Sequence, residues 1–147
     1  MKISSRFSIA VHILSLLELS KDEGALCTSE WIAGSVNTNP VIIRRLLGQL
    51  KKAGLVNVRP GTGGAFLLRD LSDVSLLDVY HAVDVVKEDE LFHIHEEPNP
   101  QCPVGSNIEA VLQLVLSRAQ MAMEQILADI TMKQLANDLF VAANPSK

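Results

Sequence analysis

The sequence predicts a mainly α protein with a small β-wing, in which a winged helix-turn-helix domain precedes a long C-terminal dimerisation helix. Three observations support this fold class. Helical periodicity dominates the chain, two short alternating segments flank a Gly-rich turn at residues 60–64, and a long apolar periodic segment occupies residues 106–130. The expected division is a winged domain at 1–84, a connector at 85–105, dimerisation helices at 106–139 and a tail at 140–147.

Charge is divided unequally along the chain. Residues 1–70 contain nine Lys/Arg and five Asp/Glu, a balance of +4, whereas residues 71–147 contain four and twelve, a balance of −8. This asymmetry is typical of a basic module that meets a polyanion and is carried by an acidic partner region. Aromatic residues make up only 4% of the chain, so stacking on bases is not the expected binding mode.

Hydropathy and cysteine content indicate the compartment. No apolar run approaches the ~18 residues that a membrane-spanning helix needs, and the N-terminus lacks a signal-peptide pattern. The two cysteines, Cys27 and Cys102, are too few for a disulfide framework and suit a reducing environment. We therefore expect a cytoplasmic protein that does not associate with membranes.

Two helices are predicted at residues 3–20 and 29–35. The first has apolar residues at alternating steps of four and three, which form one stripe. Arg6, near its start, is a candidate phosphate contact, with ordinary surface charge as the alternative. Thr28 or Ser29 is expected to cap the second helix. The expected core contacts of the second helix are Trp31, Ile32 and Val36.

The helix predicted at residues 39–53 has two chemically different faces. Asn39 is its expected N-cap, and Pro40 occupies the first helical position. Such a helix can lie against DNA, because basic groups meet phosphates while N-terminal side chains reach base edges. The alternative is a solvated amphipathic helix. Its expected buried face is Ile43, Leu46, Leu47 and Leu50, and its opposite face is Val41, Arg45, Gly48 and Lys52, with Arg44 at the shoulder.

A turn at residues 36–40 joins these two helices into a helix-turn-helix candidate. After it, Leu55–Arg59 and Ala65–Arg69 alternate like the strands of a hairpin, with a Gly-rich tip between them. A Gly-rich loop can cradle a nucleotide phosphate, but this one lies between strands and lacks the Lys-Ser/Thr ending of such loops. The pattern therefore predicts a two-stranded wing with Arg59 at its base.

The run RRLLGQLKKAGLVNVRPGTGGAFLLRD, together with MKISSRFSIAVHIL at the start, resembles the Rrf2 family of bacterial winged-helix repressors over residues 1 to about 140. The most characteristic signature is L-x-x-A-G-L-V followed by Arg, a Gly-rich tip and a hydrophobic strand. The resemblance implies a dimeric transcriptional regulator that binds double-stranded DNA at a palindromic operator and represses. Pro60 and Ala65 depart from the Gly and the aromatic residue that are common in the family, which changes the expected fit of the wing.

The resemblance also assigns roles to individual residues. Val41 and Arg44 match positions that read bases, whereas Asn39 and Arg45 match positions near phosphates. Arg59 matches the wing Arg that enters the minor groove. Arg can contact a guanine edge bidentately, and a narrow minor groove attracts Arg, which agrees with these roles. The full candidate DNA-binding set is Arg6, Thr38, Asn39, Val41, Arg44, Arg45, Lys52, Arg59 and Thr62.

The second half contains a helix from Ser75, an acidic connector with three prolines, and the long helix at 106–130. The apolar face of the long helix is wide enough to pack on its own domain and on a second copy. The alternative is a core helix in a monomer. Thr131 is expected to cap a last helix that runs through Leu139. The predicted dimerisation residues are Ile108, Leu112, Val115, Ala119, Ala122 and Ile126.

The cysteines bear on the signal that such a regulator would sense. Cluster-binding members of the family have three cysteines between the wing-side helix and the long helix, whereas only Cys102 lies there in this chain. A cluster needs a full ligand set, so we expect no iron–sulfur cluster and no other cofactor. Cys102, His93 and His95 have three alternative roles: a redox-sensitive thiol, a metal site, or structural residues.

The segment LFHIHEEPNPQCPVG resembles the YwnA-type branch of the family, a motif that assigns no effector. A second function class stays open, namely a helical protein-interaction or effector-binding module without DNA binding, because the second half is acidic. An enzyme is not expected, since the sequence contains no nucleophile–base set, no paired carboxylates at a credible site and no strongly spaced metal cluster.

Overall fold

A computed structural model of the chain describes residues 5–22, 26–61, 63–83, 92 and 94–144. Over these ranges the protein is mainly helical with one two-stranded antiparallel sheet, which confirms the predicted fold class. No helix in the described ranges is both long enough and apolar enough to cross a membrane. The elements are α1 (Ser5–Ser20), α2 (Ser29–Val36), α3 (Pro40–Lys52), β1 (Val56–Val58), β2 (Ala65–Leu67), α4 (Leu76–Val83), α5 (Ile108–Asp129) and α6 (Met132–Ala143).

Local capping explains the helix-turn-helix. The Thr28 side chain accepts a hydrogen bond from the Trp31 N–H at the start of α2. Asn37 ends α2 in the left-handed region with φ of 63° and donates its N–H to the Ala33 carbonyl at 2.8 Å. Asn39 then caps α3 by accepting from the Val41 N–H at 2.8 Å. The chain therefore reverses within a few residues, as the sequence predicted.

The core lies where α1, α3, α4 and the base of the wing pack together. α3 buries its predicted apolar face completely, whereas the predicted role of Trp31 in the core is wrong, because its side chain is 42% exposed. On the short helix α2, Ile32 and Ala33 pack into the core. Trp31 lies about 100° away from Ile32 around the helix and therefore points away from the core. The buried residues of α3 are Ile43, Leu46, Leu47 and Leu50.

The wing forms from shorter strands than the five-residue segments predicted. Val56 pairs with Leu67, and Val58 pairs with Ala65. The Ala65 N–H donates to the Cys27 carbonyl at 2.9 Å, so the segment before α2 adjoins the wing. On β1, Val56 is buried in the core and Val58 is exposed, whereas Ala65, the partner of Val58 on β2, is buried in the core. Beyond the strands the hairpin pairing continues in two backbone hydrogen bonds, from the Leu68 N–H to the Leu55 carbonyl at 3.0 Å and from the Arg59 N–H to the Gly64 carbonyl at 2.9 Å.

The C-terminal helix α6 is tied to the winged domain rather than separate from it. The Leu76 N–H donates to the Ile130 carbonyl at 2.9 Å, and the Met132 N–H donates to the Val74 carbonyl at 2.7 Å. Met132 is fully buried in the same core as α1 and α3, and Ala136, one turn later on α6, is also fully buried. The predicted division had grouped all of residues 106–139 as dimerisation helices, whereas this part of α6 completes the core.

A buried carboxylate also connects α1 to α6. The Glu18 side chain is 4% exposed, and its Oε1 accepts from Lys133 Nζ at 2.5 Å and from Lys21 Nζ at 2.9 Å. Burial alone would raise the pKa of Glu18, but the hydrogen bonds from Lys133 and Lys21 outweigh it and hold the pKa below its ordinary value. Glu18 is therefore charged at neutral pH and links two distant parts of the chain.

The last helix is longer than the sequence predicted. Thr131 caps it in a reciprocal capping box with Gln134, which confirms the predicted cap. The helix continues to Ala143, four residues beyond the predicted end at Leu139, so the first half of the predicted tail at 140–147 is helical. The extension contains Ala142 and Ala143 and no proline, and alanine is the strongest helix former.

Candidate nucleic-acid interface

The exposed face of α3 carries the predicted base-reading and phosphate-contacting residues together. Val41 is 52% exposed near the N-terminus of the helix. Arg44 and Arg45 follow one turn later, and Gly48 and Lys52 continue the exposed face to the last turn. Since the other face is fully buried, α3 is fixed in orientation and presents this cationic face outward. The structure thus brings together the central residues of the predicted site.

Arg44 has an acidic partner from the neighbouring helix. Its Nη2 donates to Glu30 Oε1 at 2.7 Å, and the two side chains remain 55% and 67% exposed, respectively. Glu30 lies in the first turn of α2. No local sequence pattern predicts the role of Glu30, because its contact with Arg44 depends on the packing of α2 against α3.

Arg59 follows the end of β1 beside the Gly-rich tip, where its N–H donates to the Gly64 carbonyl at 2.9 Å, and not at the base of the wing as predicted. Its guanidinium carbon lies 4.6 Å from the centroid of the Phe66 ring, and its Nη1 donates to the Gly63 carbonyl at 3.4 Å. A cation over an aromatic face is attracted by the ring quadrupole. Phe66 and Gly63 therefore orient the Arg59 side chain along the hairpin.

An open cleft of about 310 Å³ separates α3 from the wing. Arg44 and Leu47 line it from α3, Val58 and Gly61 line it from the wing, and Glu30 borders it from α2. The exposed face of α3 and the wing therefore flank one concave surface, which is the geometry expected when a helix and a wing contact adjacent grooves.

The remaining predicted residues are placed less uniformly. Arg6 is half-buried on α1 and is not part of the α3 face. Thr38 is half-buried in the turn, and the Asn39 side-chain oxygen is occupied by capping α3. Thr62, which the sequence predicts to lie in the Gly-rich tip, is outside the described residues.

A family model described as "Iron-dependent Transcriptional regulator", of the name Rrf2, matches residues 3–138. The chain belongs to the Rrf2 family. Over 138 residues it is 49% identical to YwnA of Bacillus subtilis (strain 168), named as a candidate HTH-type transcriptional regulator, with 94% of this chain and 99% of the relative covered. Because these relatives are transcriptional regulators, the expectation that the chain is not an enzyme is confirmed.

Solved structures agree with this assignment. A crystal structure described as a candidate DNA-binding protein is 44% identical, with a TM-score of 0.68, and the match covers 89% of this chain and 98% of that one. A candidate transcriptional regulator from Lactobacillus plantarum is 28% identical with a TM-score of 0.76, covering 93% and 91% of the two chains. The winged helix-turn-helix is therefore a fold shared with regulators of this family.

The description of the family names iron, and a site for iron would need several donor side chains close together. Cys27 is buried and its backbone adjoins the wing, whereas Cys102 is exposed. Over the described ranges, no group of three or more His, Cys, Asp or Glu residues could hold a metal ion. The described residues thus do not fit an iron site or an iron–sulfur cluster, which needs a full set of thiolate-type ligands.

Cys102, one of the three candidate sensor residues, lies in a turn before α5. Backbone N–H groups of Gly105 and Val104 hydrogen-bond its sulfur and lower the pKa of the thiol, because they stabilise the thiolate. His95 is exposed on the connector, and His93 lies outside the described residues. Cys102 therefore has the exposure and electrostatics of a reactive thiol.

The long helix α5 leaves most of its apolar surface uncovered. None of its 22 residues is buried, and Val115 and Ile126 are 57% and 61% exposed. Leu127, near its end, packs against the core. Of the six predicted dimerisation residues, Ile108 and Leu112 are half-buried, and the exposed ones are Val115, Ala119, Ala122 and Ile126.

Proposed function

We propose that this Rrf2-family regulator binds a palindromic DNA operator as a homodimer and represses transcription from it. The observation that carries the proposal is that α3 has two chemically different faces, one buried and apolar and the other exposed and cationic. Its inner face is anchored by four buried aliphatic side chains, and its outer face presents an exposed Val and a row of exposed cations. A rigid helix with a cationic outer face is what the major groove of DNA accepts.

Contacts to bases and contacts to phosphates fall to different residues in this proposal. Val41 and Arg44 lie toward the N-terminal part of α3 and read base edges in the major groove. Arg45 and Lys52 contact the phosphate backbone, which supplies affinity without sequence choice. Arg59 on the wing enters the adjacent minor groove, where a narrow groove concentrates negative potential.

The homodimer is proposed from the uncovered surface of α5. Exposed apolar residues are frequent along this helix, and a second copy related by two-fold symmetry would cover them. Two copies would place two α3 helices on successive turns of a palindromic duplex. Repression is proposed because such a dimer occupies DNA that a polymerase would otherwise use.

The proposal is tested by selecting duplexes from a random pool with the purified protein and titrating the selected duplex at several salt concentrations. We expect a palindromic consensus, and an affinity whose logarithm falls linearly with the logarithm of salt concentration. The competing function, a protein-interaction or effector-binding module without DNA binding, requires that no consensus emerge and that no salt-dependent binding be measured. That result would refute the proposal.

A further inference from the structure

The ion pair between Glu30 and Arg44 lies on the face that the proposed function assigns to DNA. Glu30 belongs to α2 and Arg44 to α3, yet the two side chains meet at 2.7 Å and border the cleft beside the wing. An ion pair as exposed as this one contributes little to folding stability. Its consequence is therefore expected in what Arg44 can bind.

The chemistry of the pair leaves Arg44 free to read a base. A guanidinium carries five N–H donors in a planar fork, and Glu30 accepts from only one nitrogen, Nη2. The remaining donors can address the O6 and N7 acceptors of a guanine. A charge-assisted hydrogen bond to a carboxylate also fixes the plane and direction of the fork.

The same carboxylate works against contact with phosphates. Arg44 would have to leave Glu30 to reach a backbone phosphate. The Glu30 carboxylate would then be unpaired beside the negatively charged DNA, and the repulsion between them is unfavourable. Holding the guanidinium near Glu30 thus penalises non-specific binding more than base reading. Specificity is a difference between two affinities, and a repulsive group that acts on the wrong complex increases it.

We propose that Glu30 is a specificity-determining positioning residue, which orients the Arg44 guanidinium toward a base edge and opposes its capture by phosphates. This inference rests on the proposed function and adds to it a residue outside the recognition helix. The acidic side chain acts through Arg44 and needs no base contact of its own.

The test compares wild type with Glu30→Gln, Arg44→Ala and the double variant on two duplexes, the one selected by the wild type and a scrambled one. Glu30→Gln is expected to tighten binding to the scrambled duplex about three- to tenfold, because Arg44 becomes available to a phosphate. Affinity for the selected duplex should change less than twofold, because the repulsion that is removed there is offset by the lost orientation of the Arg44 guanidinium toward the base. On the scrambled duplex, the salt slope should steepen by about 0.9.

The Arg44→Ala background separates positioning from a simple change in charge. There, replacing Glu30 should tighten binding to both duplexes equally, because repulsion is removed but no guanidinium is left to orient. The matched control is Glu109→Gln. Glu109 is likewise the second residue of its helix, α5, and exposed, and its replacement should leave the ratio of the two affinities unchanged.

The measured quantity is the ratio of the affinity for the selected duplex to the affinity for the scrambled duplex. The inference is refuted if Glu30→Gln leaves this ratio unchanged. It is also refuted if replacing Glu30 lowers the ratio equally in the wild-type and the Arg44→Ala backgrounds. Thermal unfolding of each variant is measured beside the titrations, and a fall in the ratio at unchanged stability supports positioning over a structural role. If the wild type itself fails to prefer the selected duplex, the proposed function is refuted, and the inference with it. If the wild type prefers the selected duplex and Glu30→Gln keeps the same preference, only the inference is refuted and the proposed function stands.

Discussion

Single residues on α3 share a face but differ in what surrounds them. Arg44 is held by Glu30 beside the cleft, whereas Arg45 is exposed one position further along the helix. On the wing, Arg59 stacks on Phe66. Three arginines of equal charge therefore have different orientations, and we expect different consequences when each is removed.

Arg44→Ala should weaken binding to the selected duplex by about 1–3 kcal/mol more than to a scrambled duplex, because a bidentate base contact is lost. Arg45→Ala and Arg59→Ala should weaken binding to both duplexes alike and lower the salt slope by about 1 each. Fluorescence anisotropy titrations at several salt concentrations measure both effects. Equal losses on both duplexes in Arg44→Ala would remove it as a base reader.

Glu18 is predicted to make stability depend on pH. Its pKa in the folded chain lies below the ordinary value, so its contribution is complete above the ordinary pKa and is lost as pH falls through the lowered one. Glu18→Gln should cost about 1–3 kcal/mol of unfolding free energy at pH 7, because a buried charge-assisted hydrogen bond is lost.

Urea unfolding from pH 7 to pH 3 measures this effect, and the difference between wild type and Glu18→Gln should shrink toward pH 3. The control is Glu96→Gln, since Glu96 is exposed on the connector. A difference that stays constant over the whole pH range would contradict the role assigned to the Glu18 charge.

At the scale of elements, the wing depends on one close backbone approach. Gly64 has φ of +76°, and a Cβ added there would lie 2.8 Å from the Cys27 backbone nitrogen. Gly61, at the other end of the tip, has φ of +69° and open space around it. Both positions favour glycine by conformation, but only Gly64 is also restricted by its neighbours.

Gly64→Ala should therefore lower the unfolding free energy by about 2–4 kcal/mol, because backbone strain and a steric clash add together. Gly61→Ala, with strain alone, should cost about 1–2 kcal/mol. Chemical denaturation of the two variants compares them directly. Equal losses would show that contact between Cys27 and the wing does not constrain the hairpin.

Elements with a local pattern could be predicted from sequence, and those that depend on distant partners could not. The faces and the caps of α3 follow from helical spacing, Asn39 and Pro40. The bridge between Ser75 and Thr131, by contrast, joins residues far apart in sequence. The pairing of Glu30 with Arg44 likewise depends on the packing of two helices, so the sequence did not predict this ion pair beside the candidate site.

At the scale of the whole molecule, α5 carries apolar side chains that the described part of the chain leaves exposed. Its end is tied to the winged domain through Leu127 and Ile130, which pack on the core, while other apolar side chains along the helix, Val115 and Ile126 among them, are exposed. This combination of an anchored end and an uncovered length suits a helix that holds two winged domains at a fixed separation.

Val115→Lys should shift the proposed dimer toward monomer, because a charge placed in an apolar interface is costly to desolvate. Asn137→Lys, at an exposed polar position on α6, adds the same charge and should leave the dimer intact. Analytical ultracentrifugation over a range of concentrations measures both. If wild type and Val115→Lys sediment as the same species, Val115 is not part of a dimer interface.

The most direct test of the account is a hydroxyl-radical footprint of the wild-type protein on its selected duplex. Two copies that each present α3 and a wing should protect two patches related by a two-fold axis, with centres about 34–36 Å or a whole number of turns apart. A single protected patch, or a duplex cleaved evenly along its length, would contradict it.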